Sequence, residues 1–184
     1  MTTDRRFCRF TRTEEGHPFG LRWEEPGGFC LSTFLVLSEP GRPSSVLVGR
    51  MNPSAPWDHL EGLDAGRVET HRSGWLLPAS HLLLRETPDE SARRILNEML
   101  GGATPALQPA RVVSEVYTPR RSPETHNHWD ISFLYRGTWQ GPPPSAPSVW
   151  TDLRFVDVSA VRRSDFARSH EEVLDQLGLA VSNP

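Results

Sequence analysis

Apolar residues cluster along this chain in runs of two different periods. From Cys30 to Ser38, CLSTFLVLS carries β-branched and aromatic residues between Gly27-Gly28 and Pro40-Gly41, which predicts a strand. Ser45 to Arg50, SVLVGR, predicts its partner across the Pro-Gly turn, giving an opening hairpin. Arg111 to Tyr117 and His128 to Arg136 predict two more strands that pair back across the loop from Thr118 to Asn127. A helical period appears between them: Ala92, Ile95, Leu96 and Met99 form one apolar stripe. Its start is marked by Thr87 as N-cap, Pro88 at the first helical position and Glu90 placed for a capping box, and Gly101-Gly102 supplies the stop. Residues 51–73 are polar and rich in Pro and Gly, which predicts a long loop placed to lie over a site, and GPPPSAP from Gly141 to Pro147 is a surface loop. There are no internal repeats.

The segment Gly74 to Gly102, GWLLPASHLLLRETPDESARRILNEMLGG, keeps a recognisable frame. It resembles the Nudix box of MutT-like hydrolases, whose pattern is Gly, five residues, Glu, seven residues, Arg-Glu, an aliphatic residue, any residue, Glu-Glu, any residue, Gly and an aliphatic residue. Glu86, Arg94, Leu96, Glu98 and Gly101 match. Ser80 stands at the first Gly, Ile95 at the Glu after the Arg, Met99 at the second Glu of the pair and Gly102 at the closing aliphatic. Trp75, Leu77 and Pro78 resemble the family's W-x-L-P lead, Asp152 to Val161 its late strand and turn, and His170 to Leu177 its closing helix. The resemblance spans roughly Cys30 to Leu179. It implies an α/β (α+β) fold with a mixed β-sheet sandwiched between α-helices. Residues 29–184 would form one domain, and residues 1–28 an extension serving as an extra strand or a dimerising arm of a homodimer.

The same resemblance implies hydrolysis of a diphosphate linkage by water, with Mg2+ or Mn2+ held on the box helix. Magnesium demands near-octahedral oxygen ligation, and residues at i, i+3 and i+4 share a helix face, so three Glu converge on it in the family. In this chain that triplet is Ile95, Glu98 and Met99. The remaining candidate metal ligands and catalytic residues are Glu98 and, from the loop before the helix, Glu86. A single charge pair 4 Å apart is worth on the order of 4 kcal/mol at the effective dielectric of a protein surface, so the cation is expected to bind weakly. Thioether sulfur suits copper rather than magnesium, so Met99 does not replace the lost carboxylate. Arg94 and Gly101 are structural residues of the box: Arg94 has Glu86 as its natural partner, with Glu98 four residues on as an alternative ion pair.

A second cluster offers a different metal site. Glu124, His126, His128 and Asp130 alternate, so in an extended strand they share one face, and His with carboxylate suits zinc or manganese. A working hydrolase would then use Glu86, Glu98 and the strand holding His126, His128 and Asp130; the other reading is a polar strand end. Trp57, Trp75, Trp129, Trp139 and Trp150 are candidates to stack on a base, Trp57 first because it sits in the long loop. His128 and Asp130 join Trp57 as ligand-binding candidates.

Composition narrows the partners. A formal charge of -3 gives no basic field for a nucleic-acid polymer. All 20 basic residues are Arg, which suits bidentate phosphate recognition and follows equally from coding bias. No run reaches the roughly 18 apolar residues of a membrane helix, MTTDRRFCRF lacks a signal peptide's apolar stretch, and Cys8 and Cys30 have no metal or redox spacing. The expectation is a cytoplasmic protein that binds a small nucleotide-like ligand with weak or no hydrolysis, as a binding or regulatory relative of the hydrolases. A purely structural module using the N-terminal arm is a third reading.

Overall fold

The computed structural model describes residues 27–55, 73–83, 85–102, 105–117, 127–142, 144 and 148–182, without the side chains of 27–30, 116–117 and 127–129. Strands β1 (Gly27–Glu39), β2 (Arg42–Met51), β3 (Ala79–His81), β4 (Leu107–Tyr117), β5 (Asn127–Thr138) and β6 (Trp150–Asp157) form one sheet. Helices α1 (Pro88–Leu100) and α2 (His170–Gln176) pack on it. The order is β4-β5-β1-β2-β6, with β3 beside β1. β1 and β5 run parallel in a register that starts at Gly27↔Asn127 and is unbroken to Ser38↔Thr138, while the other pairings are antiparallel, so the sheet is mixed.

β1 and β2 pair only near their turn, at Ser38↔Val46 and Glu39↔Arg42, and then diverge. The chain from Trp75 to Leu82 fills the gap. Gly49 and Leu76 exchange two backbone hydrogen bonds of 2.9 Å, Leu35 N donates to Pro78 O, β3 pairs with Ser32 to Phe34, and Leu82 N donates to Leu31 O. This wedge feeds both cores in alternation, as extended backbone must. Leu76 joins Leu35, Leu37, Leu47, Ile95, Leu96, Met99 and Tyr135 under α1. Trp75 and Leu77 join Val36, Val46, Val48, Leu134, Val173 and Leu174 under α2. Gly74 has no space for a side chain: a Cβ there would lie 2.6 Å from the Cβ of Ala167.

Local chemistry sets both ends of α1. Glu90 N donates to the Thr87 hydroxyl while Thr87 N donates to the Glu90 carboxylate, and Gly101 closes the helix at φ 70°. α2 has no basic residue in its last turn. The sheet supplies the cations instead: Arg111 Nη1 donates to Gln176 O at 2.7 Å, and Arg136 Nη2 donates to Leu177 O.

The predicted strands and helices are present. The sequence reading had no β3; the late strand and turn expected from Asp152 to Val161 are present as β6, which ends at Asp157, and a turn of 3-10 helix at Val158–Ala160. The expected arm lies outside the described residues but for Gly27 and Gly28, which open β1. Among the described residues no helix is long and apolar enough to cross a membrane.

Candidate functional site

Arg94 on α1 organises the loop that precedes its own helix. Its Nε donates to Glu86 Oε1 at 2.7 Å and its Nη2 to Glu86 Oε2 at 3.0 Å, a bidentate pair. The guanidinium also donates to His81 O at 2.8 Å, to the Ser80 hydroxyl at 3.2 Å and to Glu98 Oε2 at 3.3 Å. Burial alone would lower the Arg94 pKa; the hydrogen bond and charge of Glu86, then those of Glu98, outweigh it and raise the value. Glu86 receives a further bond of 2.8 Å from Leu83 N, so both its oxygens are occupied, and its side chain is only 11% exposed. Glu98 is the reverse case, 54% exposed and held at a single oxygen.

Ile95 and Met99, one turn apart around Glu98, point into the core under α1 at 0% and 5% exposure. Helix geometry explains the split: the stripe through Ala92, Ile95, Leu96 and Met99 faces the sheet, while Glu98 lies outside it. Trp150 Nε1 donates to Met99 O at 2.8 Å and so ties the end of α1 to β6.

Where β1 and β2 part, a cavity of about 50 Å3 opens, lined among others by Phe34, Ser80, His81, Met99, Arg168 and His170. Among the described residues that line it, none is acidic, and Arg168 carries the one permanent charge. His170 is buried, edge-on to Phe34 with ring centroids 5.1 Å apart, and its Nδ1 accepts from Leu77 N at 2.8 Å. That bond leaves Nδ1 without a proton and places the ring's hydrogen on Nε2.

This arrangement of mixed sheet and helices superposes on several solved structures. The MutT protein from Methanosarcina mazei Go1 superposes with a TM-score of 0.55 over 84% of this chain and 95% of that one, at 13% identity. The MutT NUDIX hydrolase from Burkholderia pseudomallei does so with a TM-score of 0.52 over 81% and 98%, also at 13% identity. The NUDIX domain of Shewanella oneidensis NrtR, solved with ADP ribose, gives 0.53 over 91% and 96% at 15% identity. The chain has the Nudix fold. No protein-family profile and no curated protein sequence matches it.

On the Nudix fold, the box positions of this chain form a poor donor set for a hard divalent cation. Ile95 and Met99 offer no oxygen, Glu86 spends both of its own on Arg94 and Leu83 N, and Glu98 remains with one oxygen already bonded. Among the described residues, no three His, Cys, Asp or Glu side chains come together as a metal site.

Of the alternative site, the described side chains are those of Glu86, Glu98 and Asp130. Phe133 and Tyr135 face α1, and Tyr135 Oη donates to Asp89 at the start of that helix. Leu134 faces α2, and Asp130 shares its parity in an unbroken register. Asp130 therefore lies on the side of the sheet opposite Glu86 and Glu98. Glu124 and His126 lie outside the described residues, as does the side chain of His128, whose backbone is paired with Gly28 and Tyr117. Trp57 and the side chain of Trp129 also lie outside them. Trp75, Trp139 and Trp150 are buried, Trp75 with the guanidinium carbons of Arg50 and Arg154 at 4.4 Å and 4.9 Å from its ring centroid, so these three are core residues.

Sequence reasoning missed Arg168 and His170 as lining residues. No local pattern marks them, because they reach the cavity from a segment more than 80 residues beyond β3. His81, which ends β3, lines the cavity as well.

Proposed function

We propose that this chain is a Nudix-fold binding protein for a small nucleotide-like ligand, with Mg2+-dependent pyrophosphohydrolase activity weak or absent. The observation that carries the reading is the use of the box side chains for packing and for the Arg94 ion pair: two positions are core, one carboxylate is committed, and one is left. A cation bound by a lone exposed carboxylate gains little against its hydration. The ligand class rests on the fold likeness to the S. oneidensis NUDIX domain solved with ADP ribose and on the tendency of a cleft to keep ligand walls when chemistry changes.

The test pairs calorimetric titration of Mg2+ and Mn2+ with a phosphate-release screen on ADP-ribose, nucleoside triphosphates and dinucleoside polyphosphates. The expected outcome is ADP-ribose binding that EDTA does not abolish, and no turnover above background. Metal-dependent turnover that disappears in Glu98→Gln would overturn the reading in favour of a working hydrolase.

A further inference from the structure

At the end of the sheet where β4 begins and β1 and β5 finish, a second cavity of about 590 Å3 opens. It shares no lining residue with the cavity beside the box, so what it binds is independent of the function proposed above. Small-molecule sites run from roughly 300 to 1,000 Å3, so a compound of one or two rings fits. We propose that this cavity binds a neutral, hydroxyl-rich small molecule of one or two sugar rings, held by the amides of Gln108 and Gln140.

Strand register places the polar side of this cavity. Arg136 Nη2 donates to Leu177 O, so that side chain stands on the α2 face of the sheet. Gln108 is its cross-strand partner on β4, Thr138 follows two residues on, and Ser38 is the partner of Thr138 on β1. All four line the cavity and share one face. Two residues earlier on that face, Val36 and Leu134 pack in the core under α2, so the face changes from apolar to polar where the cavity begins. The strands beneath it are firmly set. Trp139 is 5% exposed, its N donates to Ser38 O at 2.8 Å and its Nε1 to Pro142 O at 2.8 Å, which fixes the chain as it leaves β5. Gly137 is packed so closely that a Cβ there would lie 2.9 Å from a methyl carbon of both Leu37 and Leu107. Walls already ordered add little to the entropy cost of binding.

The chemistry of the lining selects the ligand. Among the described residues it holds no carboxylate, imidazole or thiol, so it offers neither a metal site nor an acid–base pair. Its one guanidinium, on Arg136, already meets Leu177 O at the negative end of α2 and is not needed for the ligand. The remaining polar groups are neutral, and among the described residues the side chains of Ser38, Gln108, Thr138 and Gln140 make no hydrogen bond to the protein. Each amide brings an acceptor and two donors, and each hydroxyl a donor and two acceptors. A sugar hydroxyl is likewise donor and acceptor at once, and the C–H faces of its ring suit Pro105 and Ala106 in the same lining.

The experiment titrates glucose and maltose into the full chain and follows the side-chain NH2 signals of Gln108 and Gln140 in amide proton–nitrogen correlation spectra. At least one of the sugars is expected to move both signals along a saturating curve. Gln108→Ala and Gln140→Ala should each weaken that binding about two- to tenfold, as loss of a neutral hydrogen bond does. Their melting temperatures should match wild type, because both side chains are exposed. Glucose-6-phosphate should bind no more tightly than glucose. Signals that never saturate with either sugar, or affinity that survives intact in the double Ala variant, would sink the proposal. A tenfold gain from the phosphate would show that the cavity reads charge, and the neutral class would be wrong.

Discussion

At the scale of single residues, the Arg94 pair ties the loop before α1 to the helix itself. Arg94 and Glu86 are 14% and 11% exposed, so removing one partner strands a mostly buried charge, a change that costs about 3–5 kcal/mol. Arg94→Ala is therefore expected to lower the free energy of urea unfolding by about 3 kcal/mol. Arg94→Lys should recover little of it, because an ammonium cannot reach both Glu86 oxygens together with His81 O. Equal stability of Arg94→Lys and wild type in urea would refute the bidentate account. Glu171 gives a pH-dependent counterpart. Burial raises its pKa above the usual carboxylate value, with Glu172 adding to the rise and Arg163, 4.0 Å away, opposing it. A raised folded-state pKa means that the favourable contribution is complete at acid pH, below the unfolded value, and is lost as pH rises through the folded value. Glu171→Gln should therefore have a higher urea midpoint than wild type at neutral pH, and the two midpoints should converge near pH 4. Parallel midpoints across that range would show that the carboxylate carries no burial cost.

Among the elements, the two helices differ in where their ends are written. The start of α1 was legible because Thr87, Pro88 and Glu90 act within one turn, and Thr87→Ala should cost about 1 kcal/mol of stability, measurable by thermal or urea unfolding. The C-terminus of α2 was not legible, since its carbonyls are capped by Arg111 and Arg136, which lie on β4 and β5 far earlier in the chain. Truncating both Arg residues to Ala is expected to speed amide exchange in α2 selectively, leaving the strands protected; uniform acceleration would mean that α2 does not open on its own. β3 escaped the sequence reading for a related reason. Three residues show no period, and their strand geometry comes from the gap that β1 and β2 leave between them. The face that Asp130 occupies was not legible, because a period of two says which residues share a face and not which helix covers it. The box positions were legible in identity, yet the inward orientation of Ile95 and Met99 and the commitment of Glu86 emerge only when α1 lies on the sheet.

For the whole molecule, α1 serves as a wall of the core, and that ties folding to the apolar side chains at Ile95 and Met99. Ile95 is fully buried with Leu35, Leu37, Leu47 and Tyr135 in the same cluster, so a charge there has neither water nor a cation partner. Ile95→Glu is expected to destabilise the fold by more than about 4 kcal/mol, since an unpaired carboxylate either stays charged at high cost or takes up a proton and still lacks hydrogen bonds. Met99→Glu, at 5% exposure and beside the cavity, should cost less. With this packing Mg2+ will not restore either variant, because a ligand stabilises the folded state only in proportion to its binding there, and Glu98 with one added carboxylate still leaves most of an octahedral shell to water. The measurement is the melting temperature of wild type, Ile95→Glu, Met99→Glu and the double variant across a range of Mg2+ concentrations. A rise that grows with Mg2+ in the double variant alone would mean that the helix can turn its stripe outward to hold a cation, and that α1 is a hydrolase helix held in reserve. A flat response in all four would mean that the core has fixed the orientation of α1.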